Sequence, residues 1–132
     1  MPGVLQSIER CRARGLKLAL ASSSPMKLIQ TVLRTFKLES AFDVVRSAET
    51  EAFGKPHPQV FITTAQELGL APDRCFVLED SFYGVVAAVA AKMKVVAVPD
   101  AEGREDERFC IATEQLGSLL ELDETLLARL GA

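Results

Sequence analysis

An apolar run from Cys75 to Leu78 ends in two adjacent carboxylates, Glu79 and Asp80, and passes through Ser81 into an alanine-rich segment that reaches Ala91 with Gly84 in its first turn. No other stretch limits the possible folds as strongly. A strand that is apolar without alternation is buried on both faces, which is the condition of a parallel sheet covered by helices. Ligands of such sheets gather outside the carboxyl ends of the strands. Two acids delivered there suit a hard divalent cation such as magnesium, which prefers oxygen ligands. Taken alone, Asp80 and Ser81 serve equally well as helix N-caps.

The rest of the chain alternates helices with short apolar runs. Val4, Leu5, Ile8 and Cys11 lie at helical spacing, and Gly15 supplies a stop. Leu16 to Ala21 reads as a strand running into Ser22-Ser23-Ser24-Pro25 and then a helix with proline in its first turn, whose inward face is Met26, Ile29, Val32, Leu33 and Phe36. Phe42 to Val45 is a second strand, followed by an irregular loop, Arg46 to Gly54. Gly54-Lys55-Pro56-His57-Pro58 is a stiff turn that presents Lys55 and starts a helix carrying Val60, Phe61, Ala65 and Leu68 inward to Gly69. His57 reads as a turn or capping residue, since no nucleophile accompanies it at a recognisable spacing. Val95 to Val98 is a fourth strand, 101 to 108 an exposed charged loop, 111 to 122 ambiguous, and Asp123 caps a last helix with Leu126, Leu127 and Leu130 inward. Such alternation predicts an α/β fold with a parallel sheet and right-handed crossovers.

At 132 residues the chain fits one domain, 1–132, and is too short for two. An apolar share of 48% and a charged share of 25% are those of a soluble globular protein, and the net charge of −3 gives no reason to expect nucleic acid or an anionic membrane as partner. No signal peptide or membrane-spanning run is present, so a cytoplasmic location is expected. Cys11, Cys75 and Cys110 form no C-x-x-C pair and indicate neither a disulfide framework nor a zinc site; Cys75 reads as a small buried hydrophobe.

Three loops at strand ends or helix starts carry polar groups: Ser22-Ser23, Lys55 and Glu79-Asp80. A hydroxyl with free backbone N–H groups, an ammonium and a carboxylate pair are the parts that hold a phosphate beside a divalent cation. Each is also an ordinary cap or turn residue.

In order and at the usual spacing, Leu-Ala-Leu-Ala-Ser-Ser-Ser-Pro (18–25), Gly-Lys-Pro-His-Pro (54–58) and Leu-Glu-Asp-Ser-x-x-Gly (78–84) resemble the second, third and fourth motifs of the haloacid dehalogenase superfamily, in its β-phosphoglucomutase and 2-deoxyglucose-6-phosphate phosphatase-like branch. The likeness covers nearly the whole chain. It implies a Rossmann-like three-layer core and a magnesium-dependent phosphatase or phosphomutase acting on small phosphorylated metabolites, sugar phosphates in particular. It also implies that Ser22 binds the transferring phosphoryl group through its hydroxyl, helped by the Ser23 N–H. Lys55 would neutralise the phosphoryl oxygens and the attacking carboxylate, and Asp80 with Glu79 would hold Mg2+. Ser22 and Lys55 are then the catalytic candidates, and Lys55 and Asp80 should support one another electrostatically.

The superfamily's first motif is an Asp-x-Asp that supplies nucleophile and acid/base. Asp43, Asp73, Asp80, Asp100, Asp106 and Asp123 are all the aspartates of this sequence, and no two are separated by one residue; Glu121-Leu122-Asp123 lies far from any site loop. Covalent catalysis needs its nucleophile. The resemblance therefore implies a core lacking the first strand and the helical cap, catalytically incomplete by itself. A non-catalytic phosphate- or metal-binding module, a subunit completed by a partner chain, and a purely structural role are the alternatives. Two strand edges would then lie open, and open edges recruit partners. The expectation is that the strands at 16–21 and 75–79 pair directly, or that another chain fills the place between them; self-association is a further consequence.

Overall fold

The computed structural model describes residues 2–132. Its helices are α1 (Val4–Ala13), α2 (Met26–Thr35), α3 (Gln59–Leu68), α4 (Phe82–Ala90) and α5 (Glu124–Leu130), and its strands are β1 (Ala19–Ser22), β2 (Val44–Ser47), β3 (Phe76–Glu79), β4 (Lys94–Ala97) and β5 (Glu114–Gln115). Every strand pairing is parallel: β1 with β2, Ser22 opposite Ser47, and β3 with β4, Glu79 opposite Ala97, with β5 beyond β4. Apolar sequence thus becomes a helix-covered parallel arrangement, the α/β architecture its alternation predicts.

The strands form two sheets, β1-β2 and β3-β4-β5, and β1 does not pair with β3. Of the two arrangements expected from sequence, direct pairing is thereby corrected. β3 is nevertheless held between two layers, and β1 together with the Leu18 that precedes it packs against the same two. Ala21 and Val77 pack into one core with Val60, Phe61, Ala65, Val85 and Ala88, while Leu18, Phe76 and Leu78 pack into a second core with Cys11, Val96, Leu122 and Leu127. Fixed on two faces and by its own sheet partner, neither strand can approach the other without dragging whole helices along. Burial records the result: Val95, Val96 and Ala97, flanked on both sides, are 0% exposed, whereas all four residues of β1 and of β3 are only half-buried.

Several local expectations shift. β1 begins at Ala19 and β2 runs on to Ser47, past the expected start of the loop, which then makes a 3-10 turn over Ala48–Thr50. Pro25 stands at the N-cap of α2 rather than inside its first turn. Ile29 and Leu33 face inward on α2, against β2, but Val32 is 45% and Phe36 66% exposed. Cys75 is half-buried beside the core. The charged 101–108 stretch is exposed as expected but folds into short 3-10 turns, and Asp123 caps α5 by accepting from the Leu126 N–H at 2.8 Å.

α1 is tied to the first sheet by Asp43, which accepts from the Leu18 N–H at 2.7 Å and from Arg12 at 2.9 Å. The Leu18 N–H above all, with the Arg12 guanidinium, holds this carboxyl below its ordinary range. A depressed carboxylate contributes stability that is present at neutral pH and lost as pH falls through the folded-state value. Urea unfolding midpoints measured against pH should therefore drop less on acidification in Asp43→Asn than in the parent chain; equal slopes would contradict this.

Candidate active site

Each polar loop leaves the carboxyl end of a strand. Ser22 is the last residue of β1, Ser47 of β2 and Glu79 of β3. Lys55 comes from the connection between β2 and α3, and its Nζ lies 2.6 Å from Glu79 Oε1, so this connection reaches across to the end of β3. The stiff turn works as its sequence predicts: His57 Nδ1 accepts from the Gln59 N–H at 3.2 Å and starts α3, and the His57 ring lies against Phe53.

The Lys55–Glu79 pair is shielded, with side chains 11% and 9% exposed, and the ammonium sits 4.6 Å from the centre of the Phe61 ring. Glu79 is held by more than lysine. Its Oε2 accepts from the Asp80 N–H at 3.1 Å, and its Oε1 lies 3.4 Å from the Ser81 hydroxyl. Ser81 in turn accepts from the Gly84 N–H at 3.1 Å, capping α4. A Cβ on Gly84 would stand 1.8 Å from Glu79 Oε1 and 2.0 Å from its Cδ. Glycine is therefore required at 84 for the carboxylate to lie against the first turn of α4. The sequence offers Gly84 as part of a motif without saying why; the Glu79 side chain is the reason.

Lys55 is thus partnered with Glu79, where sequence reasoning paired it with Asp80. The end of β3 separates the two acids: Glu79, its last residue, is shielded against Lys55 and α4, and Asp80, just past the strand, is exposed.

Ser22 is half-buried and Ser23 exposed, and the Ser22 hydroxyl accepts from the Ser24 N–H at 3.1 Å, folding the loop back on itself. Two residues that sequence reasoning passed over hold this loop. The Ser47 hydroxyl donates to the Ser24 carbonyl at 2.7 Å, and Glu49 accepts from the Met26 N–H at 2.9 Å, at the start of α2. Their signal is faint, a serine and a glutamate in a polar stretch. Only the parallel register that sets Ser47 beside Ser22 reveals their part.

A cavity of about 110 Å³ lined by Leu78, Glu79, Asp80, Val98 and Leu119 opens beside the acids. A larger one, about 490 Å³, lies under α2 between Met26, Gln30, Leu33, Arg34, Glu39 and Val45 and contains none of the candidate residues. Among the described residues no cluster of three or more His, Cys, Asp and Glu side chains is placed to hold a metal ion. Two adjacent carboxylates still suit magnesium, which binds through one or two carboxylates and keeps waters or substrate phosphate oxygens as its other ligands.

A match to "Hydrolase: haloacid dehalogenase-like hydrolase" extends over residues 1–92 and includes the loops bearing Ser22, Lys55 and Asp80. The chain belongs to the haloacid dehalogenase-like hydrolase family. Hexitol phosphatase B of Escherichia coli strain K12 is 43% identical over 122 residues, which are 92% of this chain and 55% of that protein. CbbY from Rhodobacter sphaeroides, solved in complex with phosphate, superposes with a TM-score of 0.84 at 30% identity over 92% of this chain and 55% of that one. β-Phosphoglucomutase from Clostridium difficile superposes with a TM-score of 0.86 at 25% identity, over 98% and 55%. The haloacid dehalogenase-like chain therefore spans about half the length of the relatives it matches. Among the described residues no helix is long and apolar enough to cross a membrane.

Proposed function

We propose that this chain supplies the phosphate- and cation-binding part of a phosphoryl-transfer site for small sugar or polyol phosphates, and that a strand bearing an Asp-x-Asp, lying between β1 and β3, completes it as a magnesium-dependent phosphatase or phosphomutase. The observation that carries this reading is the meeting of Lys55 with Glu79 at the carboxyl end of β3, next to Asp80, while β1 and β3 pair, among the described residues, only with β2 and β4. A relative named for hexitol phosphates supports the substrate class.

Phosphoryl transfer asks a protein mainly to position groups and stabilise charge. Ser22 donates its hydroxyl, and Ser23 its N–H, to the phosphoryl oxygens. Lys55 sets its positive charge against them. Asp80, exposed and adjacent to Glu79, would hold the cation, which would supply positive charge against the phosphoryl oxygens. A carboxylate entering between β1 and β3 stands at the same end of the sheet as all four. The completing strand comes from a longer form of the polypeptide or from a partner chain, and the open edges make self-association the expected behaviour of the chain alone.

The test is hydrolysis of an aryl phosphate with magnesium by the purified chain, its intact mass confirmed, beside Lys55→Ala and Asp80→Ala. No turnover above background is expected from any of the three. Turnover by the parent chain that both substitutions abolish would place a nucleophile within these 132 residues and overturn the need for a completing strand.

A further inference from the structure

We infer that Arg46 is a positioning residue for Lys55, acting through Glu51, an inference that rests on the reading of Lys55 as a phosphate-binding group. The connection from β2 to α3 leaves through the buried Ser47 and Ala48, and of its residues from Glu49 to His57 only Glu51 and Lys55 are not exposed. Each is held by an ion pair to a different strand. Arg46 Nε of β2 donates to Glu51 Oε1 at 2.6 Å, and Lys55 Nζ donates to Glu79 Oε1 of β3 at 2.6 Å. The connection is therefore a strap pinned at two points, one on each sheet.

The pin at Arg46 holds more than the strap. Arg46 stands opposite Ala21 in the ladder, and its Nη1 also donates to Glu67 of α3, so one guanidinium fastens strand, strap and helix. The planar fork of arginine suits this double duty, since its donors diverge in a fixed geometry. The Glu51 side chain is only 7% exposed. Deprived of Arg46, that carboxylate would be shielded without a counter-ion, a costly state, and it is relieved by turning to water. Ala52, Phe53 and Gly54 are exposed, so the displacement passes along the strap to Lys55, the next anchored residue. Beyond Lys55 the stiff proline turn ties the lysine to α3, and α3 is itself fastened to Arg46 through Glu67. Arg46 thus sets the place of Lys55 from both sides.

The probe is an amine-acylating reagent applied to the full chain and read by peptide mass spectrometry. Lys94, the first residue of β4 and bonded to the Arg129 and Leu130 carbonyls, is the internal reference at the other end of the sheet. Arg46→Met should raise the labelling of Lys55 severalfold and leave that of Lys94 unchanged. Glu51→Gln, which cancels the charge and keeps the shape, should do the same. Unchanged labelling of Lys55 in a folded Arg46→Met chain overturns the inference, as does an equal rise at both lysines, which would report general loosening. Should Arg46→Met fail to fold, Glu51→Gln decides by the same criteria. Inorganic phosphate, titrated calorimetrically with magnesium present, then tests the reading beneath: the parent should bind it, and the released variant should bind it severalfold more weakly. Equal binding by the two overturns the inference. Absence of binding in a folded parent chain overturns the phosphate-site reading and the part of Arg46 in it, and the labelling distinguishes that failure from a failure of the Arg46 pin.

Discussion

Gly84→Ala should destabilise the chain although alanine is the better helix former. In the first turn of α4 the exchange is worth about 1 kcal/mol in alanine's favour. Against that, the new methyl would occupy the space of the Glu79 carboxylate, 1.8 Å from Oε1 and 2.4 Å from Cγ. Glu79 must shift and its shielded contact with Lys55 is weakened, at a cost that reaches about 3–5 kcal/mol where the pair is lost altogether. A net loss of up to about 4 kcal/mol is expected from these two terms, read as a lower urea midpoint at unchanged m-value. The sign reverses in the right background. Once Glu79→Ala has removed the obstructing side chain, Gly84→Ala should stabilise by the helix term alone. A Gly84→Ala chain more stable than its parent would contradict the placement of Glu79.

Lys55→Met should be comparably damaging, because it leaves Glu79 shielded without its counter-ion; about 3–5 kcal/mol is the usual cost of such a change. Lys55→Met combined with Glu79→Gln should recover most of that loss, since replacing both members of a shielded pair is often close to neutral. The double-mutant cycle isolates the coupling. Strictly additive losses would mean that the two side chains do not hold each other.

Much of this was legible in the sequence. The apolar run Cys75 to Leu78 and its alanine-rich successor gave the parallel strand and α4 because a strand packed on both faces and an apolar helix leave recognisable patterns. The capping role of Asp123 was readable, and Ser81 was one of two cap candidates beside Asp80, because a short polar side chain commonly precedes an apolar periodic stretch. Other features were hidden for physical reasons. Leu16 and Leu18 are as apolar as the strand that follows, since they pack into the core, and apolar pattern reports burial rather than ladder hydrogen bonds; β1 was therefore expected too early. Val32 and Phe36 share the helical stripe of Ile29 and Leu33, but how wide a face is covered depends on the neighbouring element, and α2 lies at an edge. β5 is two polar residues, Glu114 and Gln115, with no pattern to find.

Within the site, residue types were legible and pairing was not. Glu79 and Asp80 read as one acidic unit, yet the strand ends between them, one acid going to Lys55 and the other to solvent. Gly84 lies five residues beyond Glu79, a spacing that conveys nothing until a helix turn folds back against the carboxylate. That β1 and β3 do not pair is a relation between elements far apart in the chain, each packed on the same helix-covered cores.

The central claim is that these loops are set for phosphoryl transfer and await a nucleophile. It is tested most directly by fusing to this chain the part of E. coli hexitol phosphatase B that lies outside the matched region, and measuring magnesium-dependent hydrolysis of an aryl phosphate. Turnover is predicted for the fusion, with a fall of about a hundredfold or more, the scale for losing one charge-stabilising group, on Lys55→Met or Asp80→Asn. A folded fusion without turnover, or turnover that survives both substitutions, would contradict the account.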